Sequence, residues 1–237
     1  MEKNQSLDRT LDILECFSTS RSKIGLSDLA RAVCLPKATV YRIAETLLAR
    51  GYLIKDAADQ SYQLGYKVLN LAGAMLANLD YRKIALPYMQ QMRNETNESI
   101  TLYIAANERQ RLCVERVQST AGLSRIVNVG DVFPIDRGAP GKVLLAYQDP
   151  AALLKDYAVS STELQTVRSC GYAISYAERE TGVTAVAAPI FNREGQILAA
   201  LSISGPSFRY EGENMDRFIL LIKEAAASIS QKLGCTK

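Results

Sequence analysis

Hydrophobic residues between Ile24 and Arg50 form two stripes at helical spacing, with a short break between them. Ser27 offers a side-chain oxygen that can cap the first helix. Pro36 cannot continue a helix, but it fits the first turn of a new one, where its missing N–H needs no partner. The pattern therefore predicts two short helices joined by a tight turn. The stripes are Leu29, Ala30 and Val33 in the first helix and Val40, Ile43, Ala44 and Leu47 in the second.

The second predicted helix presents a donor-rich face with few acids on the side opposite its apolar stripe. Two helices joined in this way form the helix-turn-helix pattern, whose second helix enters the DNA major groove. There Arg and Thr read base edges, while Lys, Tyr and Ser bind phosphates. The alternative is an ordinary helical hairpin with a solvated charged face. The predicted DNA-binding residues of the hairpin are Ser27, Lys37, Ala38, Thr39, Tyr41, Arg42 and Thr46.

Apolar residues on both sides of the hairpin complete a winged helix-turn-helix. Upstream, Ser6 can cap a supporting helix. Downstream, residues 52–55 and 61–64 are strand-like runs on either side of the turn DAADQ, which predicts a two-stranded wing. Lys55 and Tyr62 of the wing are further predicted phosphate contacts, although either residue is equally typical of plain surface. The supporting helix carries Leu7, Leu11, Leu14 and Phe17 at helical spacing.

The rest of the chain predicts an antiparallel sheet flanked by helices. A helix over residues 65–78 precedes another over residues 81–96. Ala72, Gly73 and Ala74 in the first of them are small enough to let a partner chain approach, although a simple core helix has the same composition. The predicted strands cover residues 100–105, 111–117 and 123–129 as a meander and 183–191 and 196–204 as a hairpin, followed by a closing helix over 213–233.

The loop at residues 130–142, GDVFPIDRGAPGK, is the most informative loop of this half. A helix is predicted to start at Lys142, and the free N–H groups and positive dipole end of a helix start can bind a carboxylate. The loop is not a Walker nucleotide site, because Asp136 replaces the first glycine and the Ser or Thr that holds magnesium is missing.

Composition excludes several classes of function. Hydrophobic residues make up 48% of the 237 positions, enough for one large or two modest domains. No apolar run reaches the ~20 residues of a membrane span and no signal layout opens the chain, so we expect a cytoplasmic protein. The five cysteines are widely spaced, which favours reduced thiols. The chain has no histidine, which removes Ser–His–Asp and Cys–His catalysis and the usual zinc sites. No catalytic residue, metal site or cofactor is predicted.

Positive charge is concentrated on the predicted hairpin. Between Arg21 and Lys55, seven basic residues stand against two acids, a local net charge of +5 in a chain whose total is +3. Neutralising DNA phosphates releases counterions and supplies most non-specific affinity, so this distribution favours double-stranded DNA as the partner.

Several long segments resemble a known family. SLDRTLDILECF, LSDLARAVCLPKATVYRIAETLLARGYL and YQLGYKVLNLA resemble the DNA-binding half of the IclR family of bacterial transcription regulators. The resemblance continues through LCVERVQS, VGDVFPIDRGAPGKVLLA and CGYAISYAERETGVTAVAAPIFNREGQILAALSISGP. It implies an α+β chain with a winged helix-turn-helix over residues 1–65, a linker helix over 66–79, and an effector-binding domain with a profilin- or GAF-like sheet over 80–237. Such proteins are dimers or pairs of dimers that repress or activate catabolic genes in response to small organic molecules, often carboxylic acids.

The resemblance also indicates an effector pocket, lined by the last predicted strand and the loop before the GK helix. Alternation along that strand places Ser202 and Ser204 on one face, although these serines alone are equally consistent with a face turned to solvent or to a helix. Carried over residue by residue, the resemblance implies effector contacts from Phe133, Ala139, Pro140, Gly141, Ser202, Ser204 and Glu178.

This chain departs from the family pattern in the loop. Typical members have His-Ala-Thr/Ser where residues 135–138 stand, and some have a cysteine in place of Pro189, so the pocket is expected to prefer a different ligand. Arg137 is a further predicted effector contact. It pairs either with an anionic effector or with a carboxylate such as Asp136, and the structural role is slightly favoured.

Two functions of different classes follow from these patterns. The favoured one is a regulator that binds operator DNA as a dimer and responds to a small organic acid. The rival is an enzyme that transforms a small acid and carries the hairpin as an appendage. The enzyme would need a nucleophile with a base, but Ser202, Ser204 and Cys170 lack a histidine partner, and Lys142 is the only basic group suggested near the loop.

Overall fold

The computed structural model of the chain describes residues 4–18, 20–77, 80–148 and 157–235. The chain divides into two compact units, Met1–Leu79 and Asp80–Lys237. No helix in these ranges is long and apolar enough to cross a membrane.

The first unit is a winged helix-turn-helix followed by a further helix, as the sequence predicts. Ile24, Leu29, Val40, Ala44 and Leu47 are buried in its core, so the two apolar stripes of the hairpin do face inward. Its elements are α1 (Gln5–Glu15), α2 (Leu26–Ala32), α3 (Lys37–Ala49), β1 (Leu53–Lys55), β2 (Tyr62–Leu64) and α4 (Tyr66–Ala77).

Two predicted helix caps are wrong. Asn4, not Ser6, caps α1, and its side chain accepts a hydrogen bond from the Leu7 N–H. Helix α2 starts directly after Gly25 without a side-chain cap, and Ser27 lies exposed in its first turn. The chain therefore enters each helix earlier than the hydroxyl residues suggest.

Only part of the apolar stripe predicted for α1 is buried in the core of the first unit. Ile13 is fully buried and Leu14 and Phe17 pack against the core, whereas Leu7 and Leu11 are 55% and 46% exposed. Helical spacing identifies an apolar face, but it does not establish that the rest of the same unit covers that face.

The linker helix predicted over residues 66–79 corresponds to α4, which ends at Ala77. Residues 78 and 79 lie outside the described ranges. The side chains of Tyr66, Leu69 and Leu71 on α4 are more than half exposed.

The second unit is built on a six-stranded antiparallel sheet with the strand order β5-β4-β3-β8-β7-β6. Helix α8 packs on β7 and against α5, and α5 packs on β3 and β4. Helix α6 packs on β7, β8 and β6 and against α7. The elements are α5 (Asp80–Thr96), β3 (Ser99–Ala105), β4 (Gln110–Val117), β5 (Val132–Pro134), α6 (Ala139–Tyr147), α7 (Ser161–Cys170), β6 (Ala173–Tyr176), β7 (Val183–Phe191), β8 (Ile197–Pro206) and α8 (Glu213–Lys232).

The sheet corrects three predictions. Residues 123–129 do not form a strand, and the third strand of the meander is instead β5, which pairs with β4 from within the predicted loop. Strand β3 pairs with β8 on its other side, so the meander is half of a larger sheet. Helix α7 and strand β6 were not predicted, although the Ser160–Glu163 capping box and Gly171 mark the two ends of α7.

Helix α6 begins at Ala139 and not at the predicted Lys142. Gly138 has a φ of +78°, a conformation that favours glycine, and Pro140 occupies the first helical turn, where proline is well suited. Gly141 lies against the backbone of Ile135: an added Cβ would contact the Ile135 carbonyl oxygen and lie 2.8 Å from both its carbonyl carbon and the Arg111 Nη1. The start of α6 is thus fixed by the lack of a side chain at Gly141.

Candidate functional site

The outward face of α3 is the first candidate site. Lys37, Ala38, Tyr41, Arg42 and Thr46 are exposed on this helix, and Thr39 is partly exposed. Within the described residues no carboxylate forms a salt bridge with Lys37 or Arg42. Because these two cations are not neutralised by the protein, their charge is free to act on phosphates or base edges.

Two of the predicted contacts on this surface have local partners. The Thr46 hydroxyl donates a hydrogen bond to the Arg42 carbonyl at 3.1 Å, so towards DNA it acts as an acceptor. Ser27 is exposed on α2, next to the ion pair between Arg31 and Asp28 at 3.1 Å. The sequence prediction did not include this neighbouring ion pair.

The wing corrects one predicted phosphate contact. Tyr62 is 1% exposed and its hydroxyl is buried, so this side chain belongs to the core of the first unit and cannot contact a phosphate in this conformation. Lys55, its partner across the hairpin, is exposed, and its Nζ lies 5.5 Å from the centre of the Tyr62 ring. A three-residue strand is too short for its alternation to reveal the buried face.

A groove next to α3 brings in residues that sequence reasoning treated only as a supporting helix. The groove lies between α1 and α3, so Arg9 adds a cation beside Arg42. The polar groups of α1 that line it are Gln5, Ser6, Arg9 and Thr10, and those of α3 are Thr39, Arg42 and Thr46.

The second candidate site lies between the start of α6 and the sheet. In an antiparallel sheet, directly paired residues point to the same face. Ser202 pairs with Thr101 and Ala187, and Ser204 pairs with Ser99 and Ala185. Ala185 and Ala187 pack in the same cluster as α6, so both serines lie on the α6 side of the sheet.

Both serines are buried, each with 1% exposure, so they do not face solvent. They do lie on the side of helix α6, as the other half of that alternative has it. The Ser204 hydroxyl makes no hydrogen bond within the described ranges, whereas the Tyr103 hydroxyl has Thr101 and Arg179 as side-chain hydrogen-bond partners. Together these hydroxyls form a polar floor, and Ser204 is unusual because buried polar groups in proteins are nearly always hydrogen-bonded.

A cavity lies on the same side of the sheet, between the α6 start, β7 and the turn after β6; we call it the α6 chamber. Its volume is about 20 Å³ in this conformation, room for about one water molecule and far below the ~300–1,000 Å³ typical of small-molecule pockets. A ligand therefore enters the chamber only if its walls move apart. Its polar lining residues are Arg111, Arg125, Ser175, Glu178, Arg179 and Glu180.

Glu178 occupies the helix start that was predicted to hold a carboxylate. Its Oε2 accepts a hydrogen bond from the Gly138 N–H at 2.8 Å, and its Oε1 accepts one from the Lys142 Nζ at 2.5 Å. Burial alone lowers the pKa of Lys142, but its contacts with Glu178 and Glu163 outweigh burial and leave this pKa raised. The anion-binding position thus holds a carboxylate of the chain itself.

Arg111 is the most deeply buried charged group of the chamber. It is 0% exposed, and its Nη1 donates hydrogen bonds to the carbonyls of Pro134 and Arg137. Burial, together with the charges of Arg179 and Arg125, lowers the pKa of Arg111 to about 10. Its guanidinium thereby ties β4 to the loop before α6 without any carboxylate.

Arg179 and Arg125 complete the cationic lining. The guanidinium of Arg179 stacks 3.8 Å from the centre of the Phe133 ring, and burial together with the charge of Arg125 lowers its pKa. The Arg125 Nε lies 3.4 Å from Glu180, whose side chain is 58% exposed.

Only some of the effector contacts predicted from the sequence line the α6 chamber. Pro140 and Glu178 line the chamber, Ser202 and Ser204 lie on its side of the sheet, and Phe133 lies under Arg179. Ala139 and Gly141 are buried in the first turn of α6 and shape its wall. The side chain of Arg137 is exposed, and the favoured structural ion pair with Asp136 or another carboxylate is not formed within the described ranges. Arg137 contributes its carbonyl, which holds Arg111.

Sequence reasoning missed all three chamber arginines. Arg111 stood at the first position of a predicted strand, Arg125 in the middle of another, and Arg179 next to Glu178. The alternation of the predicted strand at 111–117 was the one available signal, since it places Arg111 on the same face as Cys113.

Both units match models of one protein family. A family model described as "IclR helix-turn-helix domain" matches residues 6–57. A second, described as "Bacterial transcriptional regulator IclR C-terminal", matches residues 73–162 and 154–231. The chain belongs to the IclR family.

Named relatives of this IclR-family chain are transcriptional regulators. KdgR of Escherichia coli K12 is 29% identical over 97% of this chain and 92% of its own length. KipR of Bacillus subtilis 168 is 29% identical over 99% of both proteins. The crystal structure of an IclR homolog from Microbacterium hydrocarbonoxydans, complexed with 4-hydroxybenzoate, superimposes with a TM-score of 0.81 at 26% identity, covering 97% of this chain and 99% of that one. The chain is therefore a DNA-binding transcriptional regulator and not an enzyme.

The Lys142–Glu178 contact yields a stability prediction. Glu178→Gln removes the charge that faces Lys142, whose side chain is 12% exposed, and we expect a loss of about 1–2 kcal/mol in the free energy of unfolding. Glu163→Gln is the matched control, because Glu163 contacts the same Lys142 Nζ at 3.2 Å but is 48% exposed. Thermal unfolding of the two variants measures the difference; equal losses would mean that the helix-start position of Glu178 contributes nothing.

Proposed function

We propose that this regulator controls catabolic genes by binding its operator as a dimer or a dimer of dimers, and that a small organic acid in the α6 chamber changes its operator affinity. The observation that carries the proposal is the combination, in one IclR-family chain, of un-neutralised cations on α3 and a donor-lined chamber in the second unit. Since its partner is genomic DNA, we expect the protein in the cytoplasm.

The α3 face is proposed to read the operator. Arg42 is suited to a base edge in the major groove, where bidentate donation to guanine is the commonest specific contact. Lys37 at the helix start is suited to a phosphate, as is Lys55 on the wing. The proposed DNA contacts are Ser27, Lys37, Ala38, Thr39, Tyr41, Arg42, Thr46 and Lys55, without the buried Tyr62.

Self-association is proposed from apolar surface in the first unit. Leu7 and Leu11 on α1 and Tyr66, Leu69 and Leu71 on α4 are 46–78% exposed. Exposed apolar patches of this kind mark interaction surfaces. A dimer presents two α3 helices to half-sites about one DNA turn apart, roughly 34 Å.

The effector is proposed to be an acid because the chamber is rich in donors and cations. Support comes from the structural neighbour whose title names 4-hydroxybenzoate, a small carboxylate. An effector shifts DNA binding only if it binds the DNA-competent and incompetent states unequally. The start of α6 forms a wall of the chamber, and Glu178 and Arg111 hold it in place. We propose that this wall transmits the difference between the two states.

Fluorescence anisotropy of the full chain tests this function. Duplexes from the region flanking its own gene are compared with random duplex at two salt concentrations, since salt separates phosphate from base contacts. We expect one flanking duplex to bind well above random DNA and one acid from a panel of small carboxylates to change that affinity. Equal binding to all duplexes, unchanged by every acid, would contradict the proposal.

A further inference from the structure

The α6 chamber holds more positive charge than the protein neutralises. Arg111 and Arg179 form no ion pair with any carboxylate in the described part of the chain. Arg125 is paired only with the exposed Glu180 at 3.4 Å. Glu178 does not compensate these arginines, because its carboxylate is hydrogen-bonded to Lys142 and the Gly138 N–H. Two guanidinium charges therefore face the chamber without a counter-charge.

Unused donors accompany the unpaired charges. The Nε of Arg111 and the Nη1 of Arg179 are buried and have no hydrogen-bond partner in the described ranges. Arg111 is 0% and Arg125 is 9% exposed, so water does not solvate these groups freely. Burying a charge without pairing it is costly, and an arginine fork in particular matches the geometry of a carboxylate or phosphate.

A purely structural role accounts for only part of this cluster. Arg111 ties two loop carbonyls together, and the rings of Tyr103 and Phe133 lie 5.4 and 5.6 Å from its guanidinium. Neutral carbonyls and ring faces do not neutralise its charge, however. Arg179 has the Phe133 ring on one side and a hydrogen bond with the Tyr103 side chain, and neither of these neutral groups neutralises its charge.

We propose that the effector is a small dianion, a dicarboxylate or a phosphate monoester, and that Arg111 and Arg179 bind its two negative charges in the α6 chamber. This inference rests on the proposed function, in which an acid binds the same chamber. A monocarboxylate leaves one guanidinium unneutralised, whereas a dianion neutralises both. The chamber has a volume of only about 20 Å³ in this conformation, so the ligand must be compact and the chamber walls must move apart to admit it.

The test is isothermal titration of the full chain with matched probes at equal ionic strength. Succinate and butyrate have the same number of carbon atoms but two and one carboxylates, and methyl phosphate represents the phosphate esters. We expect succinate or methyl phosphate to bind at least about tenfold more tightly than butyrate, the loss expected for one charged hydrogen-bonded contact. If succinate binds better, the effector is a dicarboxylate; if methyl phosphate binds better, it is a phosphate monoester.

Arg179→Gln carries the mutational part of the test, because Arg111 also holds the loop and its replacement can prevent folding. We expect Arg179→Gln to weaken dianion binding by about 10- to 100-fold and Arg179→Lys to restore part of the loss. Arg193→Gln, an equal change of charge at an exposed position in the β7–β8 turn, is the control and should leave binding unchanged.

Three results would overturn the inference: butyrate binding as tightly as the dianions, dianion binding that is indifferent to Arg179→Gln, or no binding of any dianion. None of these decides the proposed function, which is judged separately from operator binding and its response to the wider acid panel. If a monocarboxylate changed the operator affinity, the proposed regulator function would stand and the inference of a dianionic effector would be refuted.

Discussion

Gly141→Ala is expected to lower the free energy of unfolding by about 2–3 kcal/mol, towards the upper end of the ~1–3 kcal/mol typical of overpacking. The new methyl group would press on the Ile135 carbonyl and lie 2.8 Å from the Arg111 Nη1. A flexible side chain could move aside at little cost, but here the main obstacle is backbone. The start of α6 or the loop before it must shift, so the chamber wall is disturbed as well.

Thermal unfolding at fixed protein concentration measures this effect, since an oligomer makes the midpoint depend on concentration. Gly122→Ala is the control: no atom lies within 4 Å of the added Cβ, and we expect a change within about ±0.5 kcal/mol. Equal midpoints for the two variants would show that the α6 start is not packed as described.

Arg42→Ala is expected to weaken operator binding by about 1–3 kcal/mol and to affect random duplex much less, because a base contact is lost. Lys37→Ala is expected to weaken both duplexes alike and to reduce the salt dependence by about one phosphate contact. Anisotropy titrations of both variants against both duplexes supply the comparison. If Arg42→Ala weakened operator and random duplex equally, Arg42 would be a backbone contact.

The helix-turn-helix was predictable because its information is local. The stripe of Val40, Ala44 and Leu47 fixes which side of α3 is buried, and the opposite side follows from helical geometry. The same reasoning failed for Tyr62, since three residues of strand do not reveal which face the core covers. The prediction of a buried stripe failed for Leu7 and Leu11, because helical spacing does not show which other surface, if any, covers an apolar stripe.

The chamber was only half predictable for a different reason. The glycines and proline of the loop indicated a tight path, and a helix start in this loop was predicted to be able to hold a carboxylate; the structure places a carboxylate of the chain itself there. That carboxylate is Glu178, which comes from a turn 40 residues downstream of Gly138. Arg111 is likewise held by carbonyls 23 and 26 residues away. Such contacts depend on how the strands order in the sheet, and β3–β8 pairing is not readable from local periodicity.

We propose that the α6 chamber and the α3 surface are energetically coupled, and a linkage measurement tests this coupling most directly. The affinity for the effector is measured with and without saturating operator, and the affinity for the operator with and without saturating effector. By thermodynamic reciprocity the two ratios must be equal, and typical coupling of ~1–3 kcal/mol corresponds to factors of about 5–150. We predict equal ratios that differ clearly from one. Ratios of one, with both ligands bound, would mean that the protein binds DNA and an acid independently, and the account of an effector-controlled regulator would be wrong.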